Sequence, residues 1–134
     1  MSRDIFCTEI NSSRGITTTM SAPRQEANLR RRFPRYSADL RVTLQVFRAG
    51  ENASMWGRST ELGEDGIGAT MTGELEPGEV VSLELALPLA AHPMKLRALV
   101  RYRMGLRHGF EFLALSPEQH DTIHRVCEML AAAQ

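Results

Sequence analysis

Hydrophobic residues recur at every second position along much of this chain. In ADLRVTLQVF, residues 38–47, Leu40, Val42, Leu44 and Val46 fall on one face and Arg41, Thr43 and Gln45 on the other. Successive strand side chains point to opposite faces, so this alternation predicts a half-buried strand. Gly50, Glu51 and Asn52 read as a turn, and MWGRSTEL, residues 55–62, as a weaker strand. EDG at 64–66 turns the chain into GIGATM, where Ile67, Ala69 and Met71 share a face, and EPG at 76–78 makes another turn. VVSLELAL then places Val81, Leu83, Leu85 and Leu87 inward, and LPLAAHP is a loop bounded by prolines. MKLRALVRYR sets Leu96, Ala98, Val100 and Tyr102 against Lys95, Arg97, Arg101 and Arg103, and LRHGFEFLA puts Phe110 and Phe112 on one face. Six short strands with turn signals between them predict an antiparallel barrel or sandwich.

The period changes at the end of the chain. Ser116 is placed to cap, Pro117 suits the first helical position, and Gln119 completes a capping box. Ile123, Val126, Cys127 and Leu130 follow as an i, i+3, i+4, i+7 stripe, so an amphipathic helix is predicted over 117–131. Residues 1–26 are polar and Ser/Thr-rich and follow neither period, which predicts a flexible tail ahead of one domain at 27–134. The segment MSAPRQEANLRRR reads like a natural chain start, so translation from Met20 is one expectation.

Composition narrows the class. Hydrophobic residues make up 43% and charged residues 24% of 134, ordinary usage for one globular domain with a real core. The longest apolar run, ALPLAAHPM, contains a histidine and two prolines; it falls short of the roughly 20 apolar residues a bilayer span needs. No apolar segment follows the basic start, as a signal peptide requires. Cys7 and Cys127 are far apart with no CxxC pair, so a reduced, cytoplasmic setting is expected.

Charge is balanced overall but segregated. Arg24 to Gly50 holds seven arginines against two acids (+5), and Glu51 to Ala90 one arginine against eight acids (−7). Residues 94–107 carry five cations and no acid. Two basic segments split by an acidic one suit a small anion better than a long phosphate backbone. No helix is available to enter a groove, so nucleic acid is not an expected partner.

No enzymatic constellation stands out. HDTIH, residues 120–124, sets two histidines one helical turn apart. Asp121 stands where a zinc protease needs glutamate, and no third ligand follows at useful spacing. Surface histidines are the expectation, with no metal and no catalytic residue. The arginines carry more. RRRFPRY, residues 30–36, places Arg31 and Arg35 four positions apart, with Pro34 stiffening the approach to the first strand. Guanidinium stays charged, presents a planar fork to phosphate oxygens and stacks on aromatic rings. ELGEDGIGA, residues 61–69, adds a glycine-rich turn where Gly63 and Gly66 permit positive φ and close approach to backbone. Glu61, Glu64 and Asp65 repel an anion there unless turned aside or paired with arginine.

RRRFPRY ahead of a first strand, then STELGEDGIGA, LPL, LRALVRY and HGFEFLALSPEQ in that order, resembles a PilZ domain over about residues 28–125. The resemblance implies a six-stranded antiparallel β-barrel, here with the C-terminal helix, and binding of the bacterial second messenger cyclic di-GMP. The family's RxxxR signature falls on Arg31 and Arg35, which it implies hold the nucleotide, with Arg30 and Arg32 as auxiliaries. Its (D/N)xSxxG signature falls on Glu61, Gly63 and Gly66, with the acid lengthened and the serine replaced by glycine. Loss of one hydroxyl contact costs about 0.5–1.5 kcal/mol, or about 2- to 13-fold in affinity. Two functions follow from the resemblance: a receptor that passes its signal to an effector protein, or an adaptor that has lost the nucleotide.

Overall fold

Among the described residues the two-residue period is realised as seven antiparallel strands: β1 (Tyr36–Ser37), β2 (Arg41–Arg48), β3 (Glu51–Leu62), β4 (Gly66–Met71), β5 (Val80–Leu85), β6 (Met94–Met104) and β7 (Arg107–Leu113). The structure, a computed structural model, describes residues 32–134. The chain divides into two units, Met1–Pro34 and Arg35–Gln134. The predicted tail, Arg30 and Arg31 lie outside the described residues. In the first unit the Arg32 guanidinium lies 5.6 Å from the centroid of the Phe33 ring, a cation–π contact.

In the second unit the sheet runs β1-β3-β2-β5-β6-β7-β4, and β4 pairs back to β3. Six strands therefore close into a barrel, which leaves no long edge to template pairing with another chain. The alternation read from the sequence fills its interior. Val42, Leu44 and Val46 of β2, Val81, Leu83 and Leu85 of β5, Leu96, Ala98 and Val100 of β6, and Phe110 and Phe112 of β7 are all buried. Each such Val, Leu or Phe side chain contributes about 1.5–3 kcal/mol by leaving water.

Helix α1 (Pro117–Ala133) starts as its residues dictate. The Ser116 hydroxyl accepts from Gln119 N, and the Gln119 side chain accepts from Ser116 N. Ile123, Val126 and Cys127 are buried with the barrel core. At its far end the Gln134 amide accepts from Ser37 N at 3.1 Å and donates to Ser37 O at 2.7 Å. A side-chain amide thus acts as the missing strand on one side of β1, whose other side pairs with β3.

Two β-bulges depart from the plain alternation, and each re-aims a side chain. In β3 the register passes from Ser59↔Ala69 to Glu61↔Gly68, leaving Thr60 as the extra residue. Gly57 and Ser59 point inward before the bulge and Leu62 after it, so Glu61 faces outward instead of entering the core. In β6 the pairing passes from Val100↔Phe110 to Tyr102↔Gly109. Tyr102, expected inward with Leu96, Ala98 and Val100, is turned out and lies across Gly109. Arg103 leaves the basic row in the same way and meets Glu74 and Glu76, both at 3.6 Å.

Two smaller expectations are corrected. The turn is Ala49–Gly50, both at positive φ, and strand begins again at Glu51. The segment read as a weaker strand belongs to the longest one, 12 residues: its exposed residues spoil the apolar count but not the pairing with β2 and β4.

Two polar side chains are buried within the second unit. His108 Nε2 accepts from Leu75 N at 3.0 Å, and its Nδ1 donates to Leu106 O at 2.8 Å. Burial holds this imidazole below its ordinary pKa, in keeping with a neutral ring. The Ser59 hydroxyl donates to Ala38 O and accepts from Leu40 N at 2.8 Å, tying down the link between β1 and β2.

Candidate functional site

Arg35 immediately precedes β1, and β1 pairs with the last residues of β3 through Tyr36↔Leu62 and Ser37↔Glu61. That short ladder brings Arg35 to the turn between β3 and β4. Within the turn Gly63 N donates to Gly66 O at 2.9 Å, and Phe112 N donates to Asp65 O at 2.9 Å. The turn is thus tied both to itself and to β7.

Arg35 is largely buried, its side chain 13% exposed. Its Nη1 donates to Glu61 Oε2 at 3.3 Å, and its Nε stands 3.6 Å from Asp65 Oδ1. That second separation is an ion pair but exceeds a hydrogen bond. Both Nε and Oδ1 are buried and without a hydrogen-bond partner among the described residues. Buried polar atoms left unsatisfied are costly, so this pair has binding capacity in reserve.

The glycines of the site serve by absence of a side chain. Gly66 does not use the left-handed φ expected of it. A Cβ there would clash with the Phe110 carbonyl oxygen and stand 2.9 Å from Arg35 Nη2, so glycine lets the guanidinium lie flat on β4. A Cβ on Gly68 would stand 3.1 Å from Glu61 Cγ. Across the outer face, Glu61 pairs with Gly68, Gly68 with Gly109, and Gly109 with Tyr102. One row therefore runs from a carboxylate to an aromatic ring over two glycines. Sequence reasoning did not reach Gly68, Gly109 or Tyr102; glycines inside strands were the available signal, since they mark close approach.

The three acids of the turn are disposed of separately. Glu61 and Asp65 face Arg35, whereas Glu64 turns to the helix. Its Oε2 meets His124 Nδ1 at 3.0 Å and its Oε1 lies 3.8 Å from His120 Nε2. Glu128 stands 3.4 Å from His124 Nε2. The Glu64 hydrogen bond raises the His124 pKa above its ordinary value. HDTIH thus latches α1 to the turn that holds Arg35. Cys127, beneath that latch, has its thiol pushed up to about 11, first by burial and then by Glu64, which removes it as a nucleophile at neutral pH. No group of metal ligands is found among the described residues, and no helix there is long and apolar enough to cross a membrane.

Of the site residues read from the sequence, the structure brings together Arg35, Glu61 and Gly66, with Gly63 in the same turn. Arg31 and Arg30 lie outside the described residues, and the exposed Arg32 contacts Phe33.

Comparison with known proteins bears on the fold. The family model for the PilZ domain matches residues 29–129. A solved PilZ domain of YcgR from Escherichia coli with c-di-GMP is 23% identical, with 78% of this chain and 93% of that one covered at a TM-score of 0.59. The whole YcgR–c-di-GMP complex from the same organism is 25% identical at a TM-score of 0.62, with 78% and 47% covered. The motility inhibitor MotI/DgrA of Bacillus subtilis is 18% identical at a TM-score of 0.63, with 78% and 53% covered. The chain thus spans about half the length of these last two proteins. No curated protein sequence matches it.

Proposed function

The chain belongs to the PilZ domain family, and from that premise we propose that it is a cyclic di-GMP receptor that hands its signal to an effector protein, without catalysis of its own. The observation that carries this reading is Arg35, laid over Gly66 and shared between Glu61 and Asp65 with its Nε unsatisfied. A phosphate oxygen offers that guanidinium a better acceptor than a carboxylate 3.6 Å away. Arg31, four positions earlier, supplies the second guanidinium. As Arg35 turns to the phosphate, Glu61 accepts guanine N–H groups, and Gly63 and Gly66 leave backbone accessible. The Tyr102 ring forms the far wall of the row. The signal passes on because the nucleotide changes which carboxylates Arg35 engages, and those lie in the turn latched to α1.

A second reading is favoured by the same residues. Arg35 already has carboxylate partners, and Gly63 replaces the family's serine, so a protein-binding adaptor without nucleotide is its rival. Isothermal titration of the full chain with cyclic di-GMP separates the two. The receptor gives saturable heat, weakened about 10- to 150-fold by Arg35→Lys, which keeps the charge but loses the fork. Absence of heat from folded protein at high micromolar ligand eliminates the receptor and leaves the adaptor.

A further inference from the structure

A concavity lies away from Arg35. A groove of about 660 Å³ lies on the outer face of β3, β2, β5 and β6, and the strand register lays out its floor. One row runs Trp56↔Thr43, Thr43↔Glu84 and Glu84↔Lys95. The next runs Ser54↔Gln45, Gln45↔Ser82 and Ser82↔Arg97. An aromatic residue therefore stands at one end of the face and two cations at the other, with Thr43, Gln45, Ser82 and the acid Glu84 between them.

The ends are unequal in their needs. Trp56 is 59% exposed, and Phe47, further along β2 on the same face, is 69% exposed. Large aromatic area left in water is a recurring mark of a docking surface. Lys95 has a partner in Glu84, at 3.9 Å. Arg97 is exposed and has no carboxylate partner among the described residues. Among the described residues the face therefore presents an uncompensated positive charge and an uncovered indole, three strand spacings apart and two residues out of row, or roughly 16 Å. An extended chain crosses that distance in about five residues.

We propose that this face is a protein-docking surface for an acidic segment of a partner. One Asp or Glu of that segment meets Arg97, and an apolar side chain about five residues away covers Trp56. Thr43, Gln45, Ser54 and Ser82 bond the backbone between them. Single-stranded nucleic acid also pairs aromatic platforms with cations, but it needs a row of cations to follow its phosphates. Here two cations share the groove with Glu84 in a protein of zero formal net charge. The groove is centred on β2 and β5, a different arc of the barrel from the Arg35 turn on β3 and β4. The docking proposal therefore does not depend on nucleotide binding.

Trp56 is the chain's single tryptophan, so its fluorescence reports occupancy of the face directly. A random peptide display library is selected on the full chain without nucleotide, using Arg97→Glu protein for counter-selection. Arg97 points outward, and circular dichroism checks that the variant keeps its fold. The expected winners pair an acid with an aromatic or aliphatic residue about five positions away. In synthetic form they shift Trp56 emission saturably and bind Arg97→Glu about tenfold more weakly, through lost attraction and added repulsion. The proposal is overturned if nothing enriches against the counter-selection, or if basic peptides win. It is equally overturned if oligothymidylate shifts the emission and the peptides do not, which assigns the face to nucleic acid.

Discussion

Replacing Gly66 with alanine tests whether the site is built on close approach. The added methyl collides with the Phe110 carbonyl oxygen, a backbone atom of the neighbouring strand that has little freedom to retreat. It also stands 2.9 Å from Arg35 Nη2, which can swing away at the expense of its contacts to Glu61 and Asp65. Overpacking of this kind costs about 1–3 kcal/mol. For a domain of this size each kcal/mol lowers Tm by about 4–8 °C. Gly68→Ala is the matched control: its nearest neighbour is Glu61 Cγ at 3.1 Å, on a side chain that can give, so its cost stays below about 1 kcal/mol. The assay is urea unfolding followed by circular dichroism on Gly66→Ala, Arg35→Ala and the double variant. Because the methyl and the guanidinium compete for one space, the double variant should lose less than the sum of the singles by about 0.5 kcal/mol or more. Strict additivity, or a Gly66→Ala protein as stable as the Gly68→Ala one, would refute the account of Arg35 resting on β4.

Other expectations follow from the same contacts. Ser59→Ala strands Ala38 O and Leu40 N beside the segment that positions β1; it should cost about 1–3 kcal/mol in urea unfolding, and an unchanged midpoint would contradict it. His108→Leu removes the acceptor of the buried Leu75 N–H and should cost a similar 1–3 kcal/mol, roughly, since leucine offers that N–H no acceptor in its place; a neutral result would remove the histidine's structural role. Stability should also depend on pH through two histidines of opposite sign. His124, raised by Glu64 and with Glu128 on its other nitrogen, contributes stability that is complete below its ordinary 6.5 and is lost as pH rises through its higher folded value. His108, lowered by burial, contributes stability that is complete above 6.5 and is lost as pH falls through its lower folded value. His124→Gln should therefore flatten the loss as pH rises above 6.5 while leaving the acid limb in place; an identical alkaline slope in the variant would show that the latch does not titrate.

Much of this fold is legible in the chain because a half-buried strand must alternate and a capped helix must begin with particular residues. Val42, Leu44 and Val46, or Ser116, Pro117 and Gln119, announce their structural roles through spacing alone. Arg35 and the glycine turn at 63–66 were legible in the same way, as residue types at a recognisable interval. The bulges at Thr60 and Arg101 were not, because one extra residue reverses every later side chain while leaving the local composition unchanged. Only pairing across the barrel decides that Glu61 and Tyr102 face outward, that Arg103 leaves the basic row, and that Gly66, Gly68 and Gly109 lie beneath other side chains. Partners distant in sequence were hidden for the same reason. Nothing near Glu64 predicts His124, nor does anything near Trp56 predict that Lys95 closes the same row, since a closed sheet sets such neighbours by register. The sequence by itself determined which residues could form a barrel and where its charges fall along the chain; tertiary structure decided which of them meet.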